Sequence, residues 1–480
     1  MMPARASLAW LVGLAVAPLC HAQVAGSVGA ASDTVPTAIL DAPTQAGAGP
    51  AASGSTLTQT TLLGIDREWL PAAHDIPIPD HVRDPDNLMR FYIDNRAQWR
   101  ASDSVYLFSS MKASALEGYG YGNVSLESRS ARLDLRELYA RTRVVPGSFI
   151  DVGRINVNNG VGVSYNPTDF FREHATVDTF THDYASWTDD RLGSFMVRWE
   201  KVFESGTLSA IYSPKLAEPG AIRQFTTGAG LQLDRTNFSN RFMIKANHDF
   251  GADFSPEVLV YHEDNRWKFG LNLTKGINEA STFFFEWAGG NSPSFSSEAF
   301  QYGISTGAFG PDTQALGGYG GASFQNQLST GFNYTTLSKL NIILSYNYNQ
   351  AGLSRAEWNR WFAMGKPGAP SASLASSEFW YMRTYGSEMR QLEDRQTAFL
   401  RIEQDDLVLR HPDFRDLTFA TFVVADLETH SYLLNASLDY RISDRWRVQF
   451  QAERKFGKKL SEFGSDSTSG EYLLSLKCYL

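Results

Sequence analysis

The chain is 480 residues long, 43% hydrophobic and 20% charged, with a formal net charge of −9. An acidic balance without a basic stripe excludes a nucleic-acid binder, which sets clustered lysine and arginine against phosphates. Beyond the N-terminus no apolar run reaches the ~18 residues of a membrane-spanning helix, so helical membrane proteins are excluded too. A membrane β-barrel is not, because its strands hide their apolar content by alternation.

Residues 1–22 read as a secretory signal peptide: Arg5, then the apolar stretch Leu8 to Leu19, then Cys20-His21-Ala22 with cleavage expected after Ala22. Leu19 stands where a lipoprotein cysteine needs a small neighbour, so Cys20 is not expected to carry lipid. Cleavage leaves Cys478 as the last cysteine and no internal disulfide. Residues 23–58, rich in Ala, Gly, Ser, Thr and Pro, bury too little surface to offset ordering entropy and are expected to form a flexible periplasmic arm, followed by a barrel over residues 59–480.

From residue 88 the period is two. Met89, Phe91, Ile93, Asn95, Ala97 and Trp99 alternate with Arg90, Tyr92, Asp94, Arg96, Gln98 and Arg100, giving one mostly greasy and one mostly charged face. The pattern recurs at Trp267–Thr274, Leu340–Asn349, Tyr432–Arg441 and Trp446–Glu453. A soluble sandwich would show the same alternation. Three features favour a membrane barrel: runs of about 10 to 13 residues, as a tilted span needs; Trp and Tyr at the ends of apolar faces (Trp99, Trp199, Trp267, Tyr348, Trp446); and alternating connection lengths. Short turns are expected near Ser102, Gly147, Ser205, Asn278, Ser338 and Ser443. Long loops are expected at about 158–190, 215–235, 288–322, 351–392 and 456–469. Counting gives about 17 strands from residue 88 and one more near Thr56 to Arg67. The expected fold is therefore an all-β transmembrane antiparallel barrel of about 18 strands, with 16 as second choice. The phase breaks at 131–143, where Leu133 and Leu135 fall out of step with Leu138 and Ala140, as a bulge would cause. The last ten residues put Tyr472, Leu474, Leu476, Cys478 and Leu480 on one apolar face. That resembles the closing strand that bacterial outer-membrane proteins present to their insertion machinery, with Leu480 in place of a terminal Phe or Trp.

If the apolar faces meet lipid, the polar faces line the lumen. The candidate pore-lining residues are Arg90, Asp94, Arg96, Arg100, Lys112, Arg141, Arg143, Arg154, Glu200, Glu286, Glu403, Asp439 and Glu453, with Arg198, Arg401 and Arg447 alongside. Rows of arginine across a pore favour anions, unless the charges pair across strands and only stiffen the wall. The stretch GRINVNNGVGVSYNPTDFFR, residues 153–172, runs from a strand into a Gly/Asn-rich loop, a turn at Asn166-Pro167-Thr168-Asp169 and an aromatic anchor at Phe170-Phe171. Asn166, Asp169, Phe170 and Arg172 are candidates for a constriction if this loop enters the pore; it could equally stay outside. Together with Leu135–Tyr139, this stretch resembles proteobacterial outer-membrane barrels of the alginate-export and porin-like families. The resemblance implies an arginine-lined lumen in which Arg90, Arg96, Arg141 and Arg154 would face an acidic solute.

Residues 355–364 (RAEWNRWFAM) set Trp358, Trp361 and Phe362 at helical spacing, for plugging the barrel, capping it or packing on a neighbouring loop. Gly303–Gly307 matches G-x-S-x-G, but in a loop of a β protein rather than a strand-to-helix elbow. No histidine pair has metal spacing, and the acidic run Asp178–Asp190 reads as a solvated loop. No catalytic residue, cofactor or metal is expected. The sequence thus reads as a bacterial outer-membrane channel for hydrophilic, anion-leaning solutes or polysaccharide. Its expected partners are lipid, lipopolysaccharide and the barrel-insertion machinery. The alternatives are an outer-membrane lipid or ester hydrolase, or a plugged structural or adhesive barrel.

Overall fold

The computed structural model describes residues 55–73, 86–119, 129–177, 188, 190–221, 228–251, 253–313, 321–364, 366, 372–389, 392–407 and 416–480. The expected signal peptide, nearly all of the arm and most of the acidic run 178–190 lie outside these residues.

The strands are β1 (Thr56–Trp69), β2 (Asn87–Arg100), β3 (Val105–Tyr119), β4 (Arg129–Val145), β5 (Ser148–Ile155), β6 (Ser194–Phe203), β7 (Gly206–Ser213), the short β8 (Gly228–Gly230), β9 (Arg241–His248) and β10 (Glu257–Glu263). They continue as β11 (Arg266–Asn278), β12 (Ser281–Ser292), β13 (Ser323–Thr335), β14 (Leu340–Asn349), β15 (Gln396–Gln404), β16 (Leu417–Asp426), β17 (Ser431–Arg441), β18 (Trp446–Phe456) and β19 (Gly470–Tyr479). Among the described residues the loops carry α1 (Leu233–Thr236), α2 (Phe295–Ser305), α3 (Arg355–Met364) and α4 (Ala372–Met389).

Leaving out β8, eighteen strands pair antiparallel with their neighbours, and β19 pairs back onto β1 from Leu62↔Tyr479 to Trp69↔Tyr472. The C-terminal strand closes the sheet as its pattern predicts, and closure leaves no unpaired edge to meet lipid. The strand near Thr56 is real, and it pairs with β2 along its whole length.

Burial separates barrel from sandwich. The apolar faces are the exposed ones: Phe91, Val258 and Leu344 are each more than half exposed, and Trp99, Trp267 and Trp446 stand on the outside with them. The polar faces are buried inside. A soluble protein would not leave so large a greasy belt against water, whereas a bilayer requires one.

Short turns join strands at one end, at 101–104, 146–147, 204–205, 279–280, 336–339 and 442–445, and the long loops gather at the other. Two connections at the loop end are short, contrary to the expected rhythm. Asp264-Asn265 joins β10 to β11 with both residues in the left-handed region (φ 45° and 65°), the geometry of a two-residue hairpin turn. Residues 427–430 join β16 to β17. At the turn end, 249–256 and 405–416 are the longer exceptions. The phase break in β4 is a bulge: Glu137 pairs with Ser110 and Leu135 with Met111, leaving Arg136 as the extra residue.

The lumen constriction as candidate functional site

Alternation places Arg90, Asp94, Arg96, Arg100 and Lys112 on the inner face of β2 and β3, and Arg141, Arg143, Glu200, Glu286, Glu403, Asp439 and Glu453 on inner faces further round. Nearly all are engaged. Arg90 donates to Asp66 of β1 through Nε at 2.7 Å. Arg141 makes a fork to Asp151 (2.8 and 3.1 Å), which also accepts from Arg198 at 2.7 Å; Glu200 lies 4.0 Å from Arg141. Arg401 pairs with Glu403, Arg447 with Asp439 at 3.2 Å, and Lys455 lies 3.8 Å from Glu453. Arg100 bonds Asp103 at the turn end, and Arg143 is exposed there.

The densest knot centres on Arg136, which the bulge turns inward and buries completely. It donates to Asp94 of β2 and to Asp190, which enters from the loop after β5. Asp190 is also 3.3 Å from Arg96 and 3.5 Å from Lys112. Arg136 and Asp190 were not among the lumen candidates. The bulge hid the phase of the first, and the second belongs to a loop that sequence cannot place inside the barrel.

Arg154 is a correction. Its register partners are Leu138 and Phe195, both exposed on the outer face, so it leaves the sheet outward rather than into the lumen. There it is covered by the 231–236 segment, and Nε donates to the Gly193 carbonyl at 2.8 Å. Nη1 donates to Leu231 O and Nη2 to Thr236 Oγ1. The positive φ of Gly153 (137°), where a Cβ would sit 2.3 Å from Leu138 O, marks the local distortion.

The loop after β5 enters the barrel with its described residues 156–177. Glu286 of β12, fully buried, accepts the backbone N–H of Val161 (2.9 Å), Gly162 (3.2 Å) and Thr168 (2.8 Å) and the Thr168 hydroxyl (2.8 Å). Only glycine allows that approach: a Cβ at Gly160, which has φ 98°, would lie 2.6 Å from Glu286 Oε1. Ser164 bonds Ser345 and Asn347 of β14, and Asn159 accepts from Lys245 of β9. The aromatic anchor has its socket. Inner-face Met196, Ile211, Met243, Leu259 and Tyr261 form an apolar patch into which Phe170 and Phe171 are buried, Phe170 stacking on Tyr261 at 4.7 Å. Asp169 is held by Arg191 at 2.6 Å; Arg172 donates to the Asn166 carbonyl at 2.7 Å and lies over Tyr165. The side-chain Oδ1 of Asn166 is buried with no partner.

Above the barrel, Phe295 of α2, Trp358, Trp361 and Phe362 of α3, and Phe379, Trp380 and Tyr385 of α4 make one buried aromatic cluster. The aromatic stripe of α3 therefore packs on neighbouring loops. His174 sits beside it, stacked on Tyr302 and edge-on to Tyr385 and Phe238. Burial, with Arg235 and Arg241 nearby, pushes its imidazole down to about 3. Ser305 ends α2 and donates to the Tyr302 carbonyl at 2.9 Å, so no strand-to-helix elbow exists at the G-x-S-x-G match.

No family model matches the chain, and no curated protein does. Solved structures do. OccAB1 of Acinetobacter baumannii is similar over 89% of this chain and 96% of its own, at 10% identity and a TM-score of 0.50. OccK2 (OpdF) of Pseudomonas aeruginosa, solved in complex with glucuronate, is similar over 88% and 98%, again at 10% identity and a TM-score of 0.50. The chain has the closed 18-strand fold of bacterial outer-membrane porins.

Proposed function

We propose that the protein is a passive channel of the bacterial outer membrane for small hydrophilic solutes, with anions favoured over cations. The observation that carries this reading is the inward loop. From Asn159 to Phe171 its side-chain and backbone bonds run to β9, β11, β12 and β14, so it narrows the barrel from that side. Solute then passes along the facing wall, where β17–β19 and β1–β3 present Asp439, Arg447, Lys477, Gln98 and Arg96. Arg96 keeps half of its side chain exposed in spite of its ion pair with Asp190, and it is the natural first contact for an anion.

Export of an acidic polysaccharide, which the alginate-exporter resemblance implies, draws on Arg90, Arg96, Arg141 and Arg154. Three of these are taken up by Asp66, Asp151 and backbone carbonyls, which favours a small solute meeting Arg96 over a polymer needing a row of free cations. Lipid would cover the apolar belt, lipopolysaccharide the loop-end rim, and the insertion machinery would engage β19. No hydrolase is needed to account for any described residue.

Swelling of proteoliposomes in isotonic solute tests the reading. The protein should admit glucuronate and gluconate faster than neutral sugars of similar size; folded protein that admits none of them would overturn it.

A further inference from the structure

Three carboxylates converge at the loop end: Asp394, just before β15, Asp426, the last residue of β16, and Glu462, in the loop after β18. One oxygen of each lies within 4.8 Å of the other two. Asp394 and Asp426 are about 99% buried, while Glu462 is half-buried and leaves a way in.

The donors around them do not account for this convergence. Trp358 Nε1 holds Asp394 Oδ1 at 2.5 Å, and Asp426 accepts from the backbone N–H groups of Glu428 and Thr429 at 2.6 and 2.8 Å and from the Thr429 and Ser431 hydroxyls. Asp394 Oδ2 and Glu462 Oε2 are buried and accept from nothing. Arg383, the nearby guanidinium, is turned to Glu393 (3.8 Å), Asp466 (3.5 Å) and the Glu462 carbonyl (3.1 Å), and Lys455 to Asp466. Among the described residues no cation reaches the three carboxylates. Buried carboxylates that face one another are costly unless a proton or a cation stands between them, and a site open at Glu462 admits the cation.

We propose that Asp394, Asp426 and Glu462 bind a divalent cation, calcium in preference to magnesium, that cross-links three loops at the outer mouth. Oxygen-only ligands suit a hard cation. Calcium accepts a loose, irregular shell at about 2.3–2.6 Å, as carboxylates from three separate loops provide, whereas magnesium demands a near-ideal octahedron at about 2.0–2.1 Å and gives up its waters reluctantly. Water would complete the shell. Because Asp394 is pinned by Trp358 at the heart of the aromatic cluster, the ion would tie the helical cap of α2–α4 to the β16–β17 hairpin and the loop after β18. The site stands independently of what the channel carries.

The test uses the whole barrel in detergent, freed of lipopolysaccharide and stripped with chelator. Titration with calcium chloride in a calorimeter should show one bound equivalent, with magnesium at least about tenfold weaker. Terbium should give tryptophan-sensitised emission that calcium displaces. Asp394→Asn and Glu462→Gln should each weaken calcium binding by at least about tenfold, while the heat-dependent shift of the folded barrel on electrophoresis is kept. If Asp394→Asn does not fold, Glu462→Gln, at the half-buried edge, decides alone. No calcium binding, or binding unchanged in Glu462→Gln, would overturn the site.

Discussion

Glu286 of β12 accepts both the backbone N–H and the hydroxyl of Thr168, each at 2.8 Å, across 118 residues of sequence. With Val161 and Gly162 it takes four donors from one loop, and a hydrogen bond to a charged acceptor is worth about 1.5–3 kcal/mol. Glu286→Ala should therefore free the loop from the β12 wall and raise single-channel conductance, with added open-state noise. Glu286→Gln, which keeps one acceptor and turns the other into a donor facing two N–H groups, should fall between. Conductance unchanged in Glu286→Ala would mean that the loop does not set the narrowest point.

The aromatic anchor gives a stability prediction for the same loop. Phe170 and Phe171 are both buried, and truncating a buried phenylalanine costs about 3–5 kcal/mol. Phe170→Ala should make the 156–193 segment cleavable by added protease while the barrel remains resistant. Resistance equal to that of the parent would show that the hydrogen bonds to Glu286 alone suffice.

How much of this was legible differs by element. Strand count, closure by Glu471–Leu480 and the extra strand at Thr56 follow from alternation, because each inward or outward choice is written in a single residue. The bulge at Arg136 was visible as a broken phase, but its consequence was not: an extra residue reverses which side chains face inward, so Arg136 itself escaped. Asp264-Asn265 shows the opposite limit. Its two left-handed residues make a tight hairpin where the general rhythm predicts a loop. The constriction was partly legible, since Gly160 and Gly162 announce a close backbone approach without naming Glu286, more than 120 residues away, as what is approached. Arg154 was misplaced because alternation from Asp151 carries it to the outer face, where an arginine is unexpected, and the segment that covers it comes from a loop some 77 residues on.

Arg136 is fully buried and joins Asp94 to Asp190. Removing one partner of a buried ion pair costs about 3–5 kcal/mol, because the other charge is stranded. Arg136→Met should lower the temperature at which the folded barrel converts to its unfolded form on electrophoresis, and adding Asp94→Asn should recover part of the loss. No recovery would mean that Asp94 does not depend on Arg136.

His174 carries a pH dependence. Its folded value of about 3 lies below the usual ~6.5 of an unfolded histidine, so the unfolded or opened state binds the extra proton. Its contribution is fully present above about pH 6.5 and is lost as pH falls toward 3. At pH 5 the loss is about 2 kcal/mol. Hydrogen exchange of the loop around 172–176 should accelerate between pH 7 and 5 beyond its intrinsic trend, and His174→Phe should abolish the excess. An excess that persists in the variant would place the sensing group elsewhere.

The central claim is an open channel whose free wall favours anions at Arg96. Reversal potential across a potassium chloride gradient in a planar bilayer tests it most directly. Stepwise conductance with the potential displaced toward chloride is predicted, and Arg96→Glu should carry it toward potassium. A bilayer that stays silent with folded protein, or a parent channel already selective for potassium, would contradict it.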